Sequence, residues 1–229
     1  MPRPSLAVQK RQETIPVIAA AFAQLGYRRT TTAELARRCG VQETILYRLW
    51  KDKRAMFIAA IEHVYEVSER AWRHAVELDA AEGVRGGARA GASKRGKHRT
   101  SAERMLAYES RHLGEFGYAR ILFAGLGETD DPQIRRALTR TYERFQAFLR
   151  EQVEHHRATR GPSGRSGAKR GAAPDADISA WALVGLGTVA SIALELRMLG
   201  PDDRQRLMAQ VGGLLLDGAG AAGGAASKS

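Results

Sequence analysis

Apolar residues in this chain recur at intervals of three and four rather than two, and that spacing predicts helices along most of its length. Ile15, Ile18, Ala19, Phe22 and Leu25 form the first stripe. Thr14 is its expected N-cap, Pro16 sits in a first turn that tolerates a missing N–H, and Gly26 ends it. Residues 1–13 are then a basic arm with Arg3, Lys10 and Arg11. Two short helical patterns follow, Glu34 to Cys39 and Glu43 to Leu49, with Gly40 between them. One amphipathic run extends from Lys53 to about Ala80. Ser101 is the expected cap of a helix carrying Met105, Leu106 and Tyr108, and Tyr118 to Leu126 supply a shorter one. Asp131-Pro132 opens a further helix, with Ile134, Leu138, Tyr142, Phe145, Leu149 and Val153 on one stripe. The last two run from about Asp175 to Leu199 and from Asp202 to Asp217. The fold class expected is all-α, with an N-terminal three-helix unit and a C-terminal helical body.

Composition divides the chain further. Residues 83–100 and 158–174 are rich in Gly, Ala, Arg and Lys and poor in large apolar residues. They cannot bury enough surface to offset ordering entropy, so disordered loops are expected there. The domains expected are 1–54, the arm and three-helix unit; 55–217, the helical body; and 218–229, a disordered tail. The net charge of +11 is unevenly spread: residues 1–54 carry +7, residues 83–100 carry +6 and residues 157–171 carry +5, which leaves −7 for the remainder. A basic head on an acidic body favours docking on a polyanion in one orientation.

The two short helical patterns have the layout of a helix-turn-helix, whose second helix enters the DNA major groove. Leu35, Ala36, Val41, Ile45, Leu46 and Leu49 are spaced to pack inward, and Gly40 allows the tight turn. Gln42, Glu43, Thr44, Tyr47 and Arg48 then face outward. Gln pairs with adenine and Arg with guanine, while Thr bonds a base or touches a thymine methyl. The hydroxyls of Tyr47, Thr31 and Thr32 suit phosphate oxygens, and Lys51 and Lys53 add charge contacts. The alternative is a solvated polar face on an ordinary helical corner.

Other chemistry is sparse. Cys39 is the single cysteine, so there is no disulfide framework, and core filling is its expected role rather than redox sensing. Residues 91–98 nearly match a phosphate-binding loop, but His98 stands where the hydroxyl would be and no strand precedes them. His155 and His156 are adjacent and point to different helix faces, so they cannot chelate together. No nucleophile-base-orienter set is evident; no enzyme activity, metal or cofactor is expected. Met1 to Glu13 has no apolar run that would make a secretory signal. Ile178 to Leu194 lacks charge but spans only 17 residues, against ~20 for a bilayer. A buried interface helix and a soluble, cytoplasmic chain with no membrane partner are expected.

The segment resembles the TetR family of bacterial transcriptional regulators. The resemblance rests on Ala19-Ala20-Ala21-Phe22, Gly26-Tyr27, Thr31-Thr32, Leu35-Ala36, Gly40-Val41, Leu46-Tyr47 and Lys53, and covers about residues 14–62. It implies that Thr32, Glu43, Tyr47, Arg48 and Lys53 contact DNA. Glu43 and Trp50 depart from the small residue and the Phe that many members carry there.

Dimerisation brings two such heads to successive half-sites, and the last two helices are the best surface for it. Trp181, Val184, Gly185, Thr188, Ile192, Leu207, Val211 and Leu214 are the candidate interface, and the resemblance implies a four-helix interface there. It also implies a pocket for a small-molecule effector that moves the helix after the motif. Trp72, Tyr108, His112, Phe116, Phe123 and Tyr142 are the candidate lining. The function expected is a homodimeric, ligand-responsive repressor on a palindromic operator. The alternatives are an activator, a regulator controlled by a protein partner, a DNA-coating protein or a small-molecule-binding enzyme.

Overall fold

A computed structural model describes residues 6–86, 99–114, 117–160 and 174–217. Among these there are nine helices and no strand. The helices are α1 (Leu6–Arg29), α2 (Thr32–Cys39), α3 (Glu43–Leu49), α4 (Lys53–Gly86), α5 (Ser101–His112), α6 (Tyr118–Leu126), α7 (Pro132–Arg160), α8 (Ala176–Glu195) and α9 (Pro201–Asp217). They group into two compact units. The first holds Met1–Arg70 and Gly114–Glu143, the second Ala71–Leu113 and Arg144–Ser229. Compactness therefore draws its line elsewhere than at residue 54: α6 and the start of α7 group with the N-terminal helices, and α4 and α7 each contribute to both units.

The helix starts follow from local chemistry. Asp131 Oδ1 accepts from the N–H groups of Gln133 and Ile134 and so caps α7 at the expected place. Helix α5 starts one residue from expectation in its cap: Thr100, not Ser101, is the N-cap, and Glu103 completes a capping box by accepting from the Thr100 N–H at 2.7 Å. The N-terminal expectation is corrected. Residues 6–13 are helical, Pro16 lies inside α1, and Thr14 is not a cap but donates its hydroxyl to the Lys10 carbonyl at 2.7 Å. The arm is held because Arg11 donates to the Leu49 carbonyl and lies over the Trp50 ring, 5.7 Å from its centroid. Gly26 does break the helix, with φ 75° and ψ 170°. The start of the expected loop at 83 and that at 158 are also corrected, since α4 continues to Gly86 and α7 to Arg160. The ends of both loops are described as well, with Thr100 serving as the α5 cap, whereas residues 87–98 and 161–173, the near-match at 91–98 among them, and the tail from 218 lie outside the described residues.

In the first unit, Ile18, Phe22, Leu35, Leu46, Leu49, Met56, Phe57, Ile61, Ile121 and Ile134 close one core. Phe57 meets the edge of Phe22, with ring centroids 4.9 Å apart. The unit is also tied at its surface: Arg54 pairs with Asp131 at 3.0 Å and Arg28 with Glu128 at 2.7 Å. In the second unit α9 packs on α5 and α8. At the α5 crossing Gly212 leaves room for Leu106, whose Cδ1 would lie 2.6 Å from a Cβ there and would have to shift. Polar groups close the helix ends. Half-buried Arg157 donates to the Leu216 carbonyl, one that the end of α9 leaves without a helical partner, and also to the Pro174 carbonyl and Ser179 Oγ. His156, buried, lies 2.7 Å from Thr100 Oγ1 through Nδ1 and 2.9 Å from Asp217 Oδ1 through Nε2.

Candidate nucleic-acid interface

Three short-range devices build the helix-turn-helix. The Thr31 side chain accepts from the Glu34 N–H at 3.1 Å and starts α2. Gly40 stops it in the left-handed region at φ 64°, where the Gly40 N–H reaches the Arg37 carbonyl and the Val41 N–H the Ala36 carbonyl at 3.0 Å. An L side chain at Gly40 would strain that turn even though nothing lies within 4 Å of its Cβ position. Leu46 and Leu49 then pin α3 against the core while Val41 and Ile45 pack at its border. The seven residues of α3 leave room for about two turns, so the polar face is short and fixed.

Of the residues expected to meet DNA, Thr31, Gln42, Glu43, Thr44, Tyr47, Arg48 and Lys51 are exposed. Thr32 and Lys53 are half-buried and bonded within the unit. Tyr47 Oη donates to Thr32 Oγ1 at 3.1 Å, which sets the first residue of α2 beside the outer face of α3. Lys53 donates to the carbonyls of Tyr27 and Thr30, each at 3.1 Å, and its ammonium stands 4.4 Å from the Tyr27 ring centroid. Two of its three donors are thus committed to the corner between α1 and α2. Gln42 makes no side-chain cap, and Glu43 in the first turn places a carboxylate beside the free N–H groups of α3, a favourable position.

Electrostatics fix the supporting helix. Glu34 bonds both Arg37 and Arg38, and these guanidiniums hold its carboxyl at about 2, well below the usual 4.5. Cys39 is half-buried, burial pushes its thiol up, and its Sγ lies 3.9 Å from the Thr14 carbonyl. A raised thiol pKa disfavours the reactive thiolate, in line with packing rather than redox sensing.

The candidate effector residues are not brought together in this way. Phe116 lies outside the described residues. Phe123 and Tyr142 belong to the first unit, and Tyr142 packs at the border of its core, where burial raises its phenol pKa. In the second unit Trp72 is core: it stacks on Phe145 at 4.8 Å and donates to Glu109 at 2.7 Å. Tyr108 and His112 stack on one another at 4.1 Å. A cleft of about 640 Å³ opens in that unit between α5 and α9, and none of the six lines it. Instead it combines Arg99, Arg111 and Arg160 with small residues. Sequence spacing missed it because its lining comes from residues a hundred positions apart with no aromatic signal.

The candidate dimer residues divide. On α8, Ile178, Trp181, Gly185, Val189 and Ile192 share one exposed face, with Trp181 52% and Val189 58% exposed. Val184 is corrected: it turns into its own unit and is 6% exposed, since the helix is apolar on both sides. Thr188, Leu207 and Val211 are half-buried, and Leu214 is exposed. Helix α8 is long and apolar enough to cross a membrane, but 44% of its apolar window is buried inside the protein.

A three-helix unit whose last helix presents a polar face on a closed core is a helix-turn-helix DNA-binding module. Residues 17–60 match the family model of bacterial regulatory proteins, tetR family, so this segment is a DNA-binding helix-turn-helix of the TetR type. Solved structures share the fold. A TetR-family transcriptional regulator from Cytophaga hutchinsonii has a TM-score of 0.66 at 14% identity, over 93% of this chain and 96% of that one. The fatty acid degradation regulator FadR from Bacillus halodurans has 0.63 at 12% identity over all of both chains. Reduced NemR from E. coli has 0.64 at 15% identity, over 90% and 97%. No curated protein sequence gives a match to this chain.

Proposed function

We propose that the chain is a homodimeric repressor that binds a palindromic operator and releases it when a small molecule binds. The observation that carries the DNA reading is the outer face of α3, where Gln42, Thr44, Tyr47 and Arg48 are exposed over a core closed by Leu46 and Leu49. Thr44, Gln42 and Arg48 read base edges, while Thr31, Thr32, Tyr47 and Lys51 hold phosphates. Lys53 contributes by fixing the corner between α1 and α2. Glu43 favours positions where a cytosine amino group can donate to it.

The uncovered stripe on α8 supports the homodimer. Ile178, Trp181, Gly185, Val189 and Ile192 leave an apolar seam with an open notch, since a Cβ on Gly185 would meet nothing within 4 Å. A second copy of the same seam, related by a two-fold axis, covers it and sets two heads on half-sites about 34 Å apart. Such a protein works in the bacterial cytoplasm, on the nucleoid. Repression and release by an effector rest on the likeness of residues 17–60 to the family, and the effector is assigned to the second unit.

Selection of genomic fragments on the full chain tests this reading. The expected product is one inverted-repeat sequence, preferred over random duplex by ~10³-fold or more and weakening steeply with salt. Equal affinity for every duplex would support a coating protein instead.

A further inference from the structure

The cleft between α5 and α9 has a chemistry of its own. Leu106, Ala107, Ala209 and Gly213 give it small or apolar lining, and Ser110 and Gln205 add uncharged polar groups. Among the described residues it carries three guanidiniums, those of Arg99, Arg111 and Arg160, against the single carboxylate of Glu103. That carboxylate is already spent. One oxygen accepts from the Thr100 N–H in the capping box and the other from Arg160 Nη2. Arg111 Nε donates to the Ala107 carbonyl, which holds its side chain along α5. Among the described residues neither Arg99 nor Arg111 is paired with an acid, and the buried Nε of Arg160 has no acceptor. Small and apolar lining beside two guanidiniums without an acidic partner, those of Arg99 and Arg111, is complementary to a molecule with a flat or aliphatic body and an anionic head. Guanidinium is the side chain best matched to a carboxylate or phosphate, which it can grip with two parallel hydrogen bonds. The volume, about 640 Å³, is in the range of small-molecule sites.

We propose that this cleft binds a small amphipathic organic anion, with its carboxylate or phosphate head on Arg99 and Arg111 and its apolar body on Leu106, Ala107, Ala209 and Gly213. The proposal deepens the effector reading of the second unit and rests on it for the consequence, release of DNA, but not for binding itself. Gly213 offers a clean way to close the cleft. Its Cβ position meets nothing within 4 Å, so a side chain there enters open space, unlike at neighbouring Gly212.

Calorimetry on the full chain with 2-naphthoate, 2-naphthyl phosphate and the neutral 2-naphthylmethanol tests it. Both anions are expected to bind, with the alcohol about tenfold or more weaker, the cost of losing a charge-assisted hydrogen bond. The tighter of the two anions identifies the head. Arg111→Gln should weaken each anion by about tenfold. Gly213→Leu should abolish binding while the thermal midpoint holds or rises, because glycine is a poor helix former. Absence of heat with both anions, an alcohol that binds as tightly as the acids, or binding that survives both substitutions would overturn the proposal. DNA affinity of the same preparations without probe separates the two readings: anion binding in the cleft of a chain that ignores duplex DNA keeps this site and removes the regulator.

Discussion

Helices α3 and α8 are each buried on one side and opposite in what they leave outside. Helix α3 closes Leu46 and Leu49 into the core and presents Thr44, Tyr47 and Arg48. Helix α8 buries Leu183, Val184 and Leu186 and presents Ile178, Trp181, Val189 and Ile192. A polar outer face is compatible with water and gains from a charged partner only through specific bonds. An apolar outer face of this size is a standing cost in water and calls for a protein partner. On the function proposed above, the contrast assigns two tasks, reading DNA and pairing subunits, to two helices that can be altered independently.

Altering α8 should have the largest effect. Trp181→Glu places a charge in the middle of the apolar seam, and a carboxylate without a partner is expected to weaken dimerisation by ~10²-fold or more. Sedimentation velocity should show a single subunit that keeps its helicity, since Trp181 is half-exposed within its own chain. An unchanged sedimentation coefficient would remove α8 from the interface. On α3 the effect is smaller and of another kind. Arg48→Ala should cost about 1–3 kcal/mol on the preferred sequence and little on random duplex. Uniform loss on all sequences would make Arg48 a phosphate contact.

Lys53→Ala sharpens the division between reading and scaffolding. With two of its donors on the Tyr27 and Thr30 carbonyls, its loss should lower stability by about 1 kcal/mol, read as a shift of the thermal midpoint. The salt slope of DNA binding should change by less than one phosphate contact. The smallest effect lies on α2. Glu34 should titrate near 2 by NMR, held down first by Arg37 and then by Arg38. Because its folded value is depressed, the pairing is present above the ordinary 4.5 and is lost only as pH falls through about 2. A midpoint at 4.5 would show that these arginines are free.

The DNA-binding unit was legible because its signals are local. Thr31, Gly40 and the stripe of Leu35, Leu46 and Leu49 all lie between residues 31 and 49, so spacing alone placed them. Tertiary contacts were not legible. Arg11 is held by the Leu49 carbonyl and Trp50, and nothing in the first thirteen residues signals that a helix would outlast Pro16 there. Val184 was misplaced because an all-round apolar helix carries no periodicity to say which side faces home. Of the aromatic residues proposed for a pocket, Trp72 is core and Tyr142 borders one, while the cleft is lined by arginines and small residues that read as ordinary surface.

Pairing two reading helices through α8 is the central claim, and the stoichiometry of the protein–DNA complex tests it most directly. Analytical ultracentrifugation of the full chain with a duplex bearing the selected inverted repeat should give two subunits per duplex. The complex should break down in step when Trp181 is changed to Glu. One subunit bound with undiminished affinity to a single half-site would contradict it.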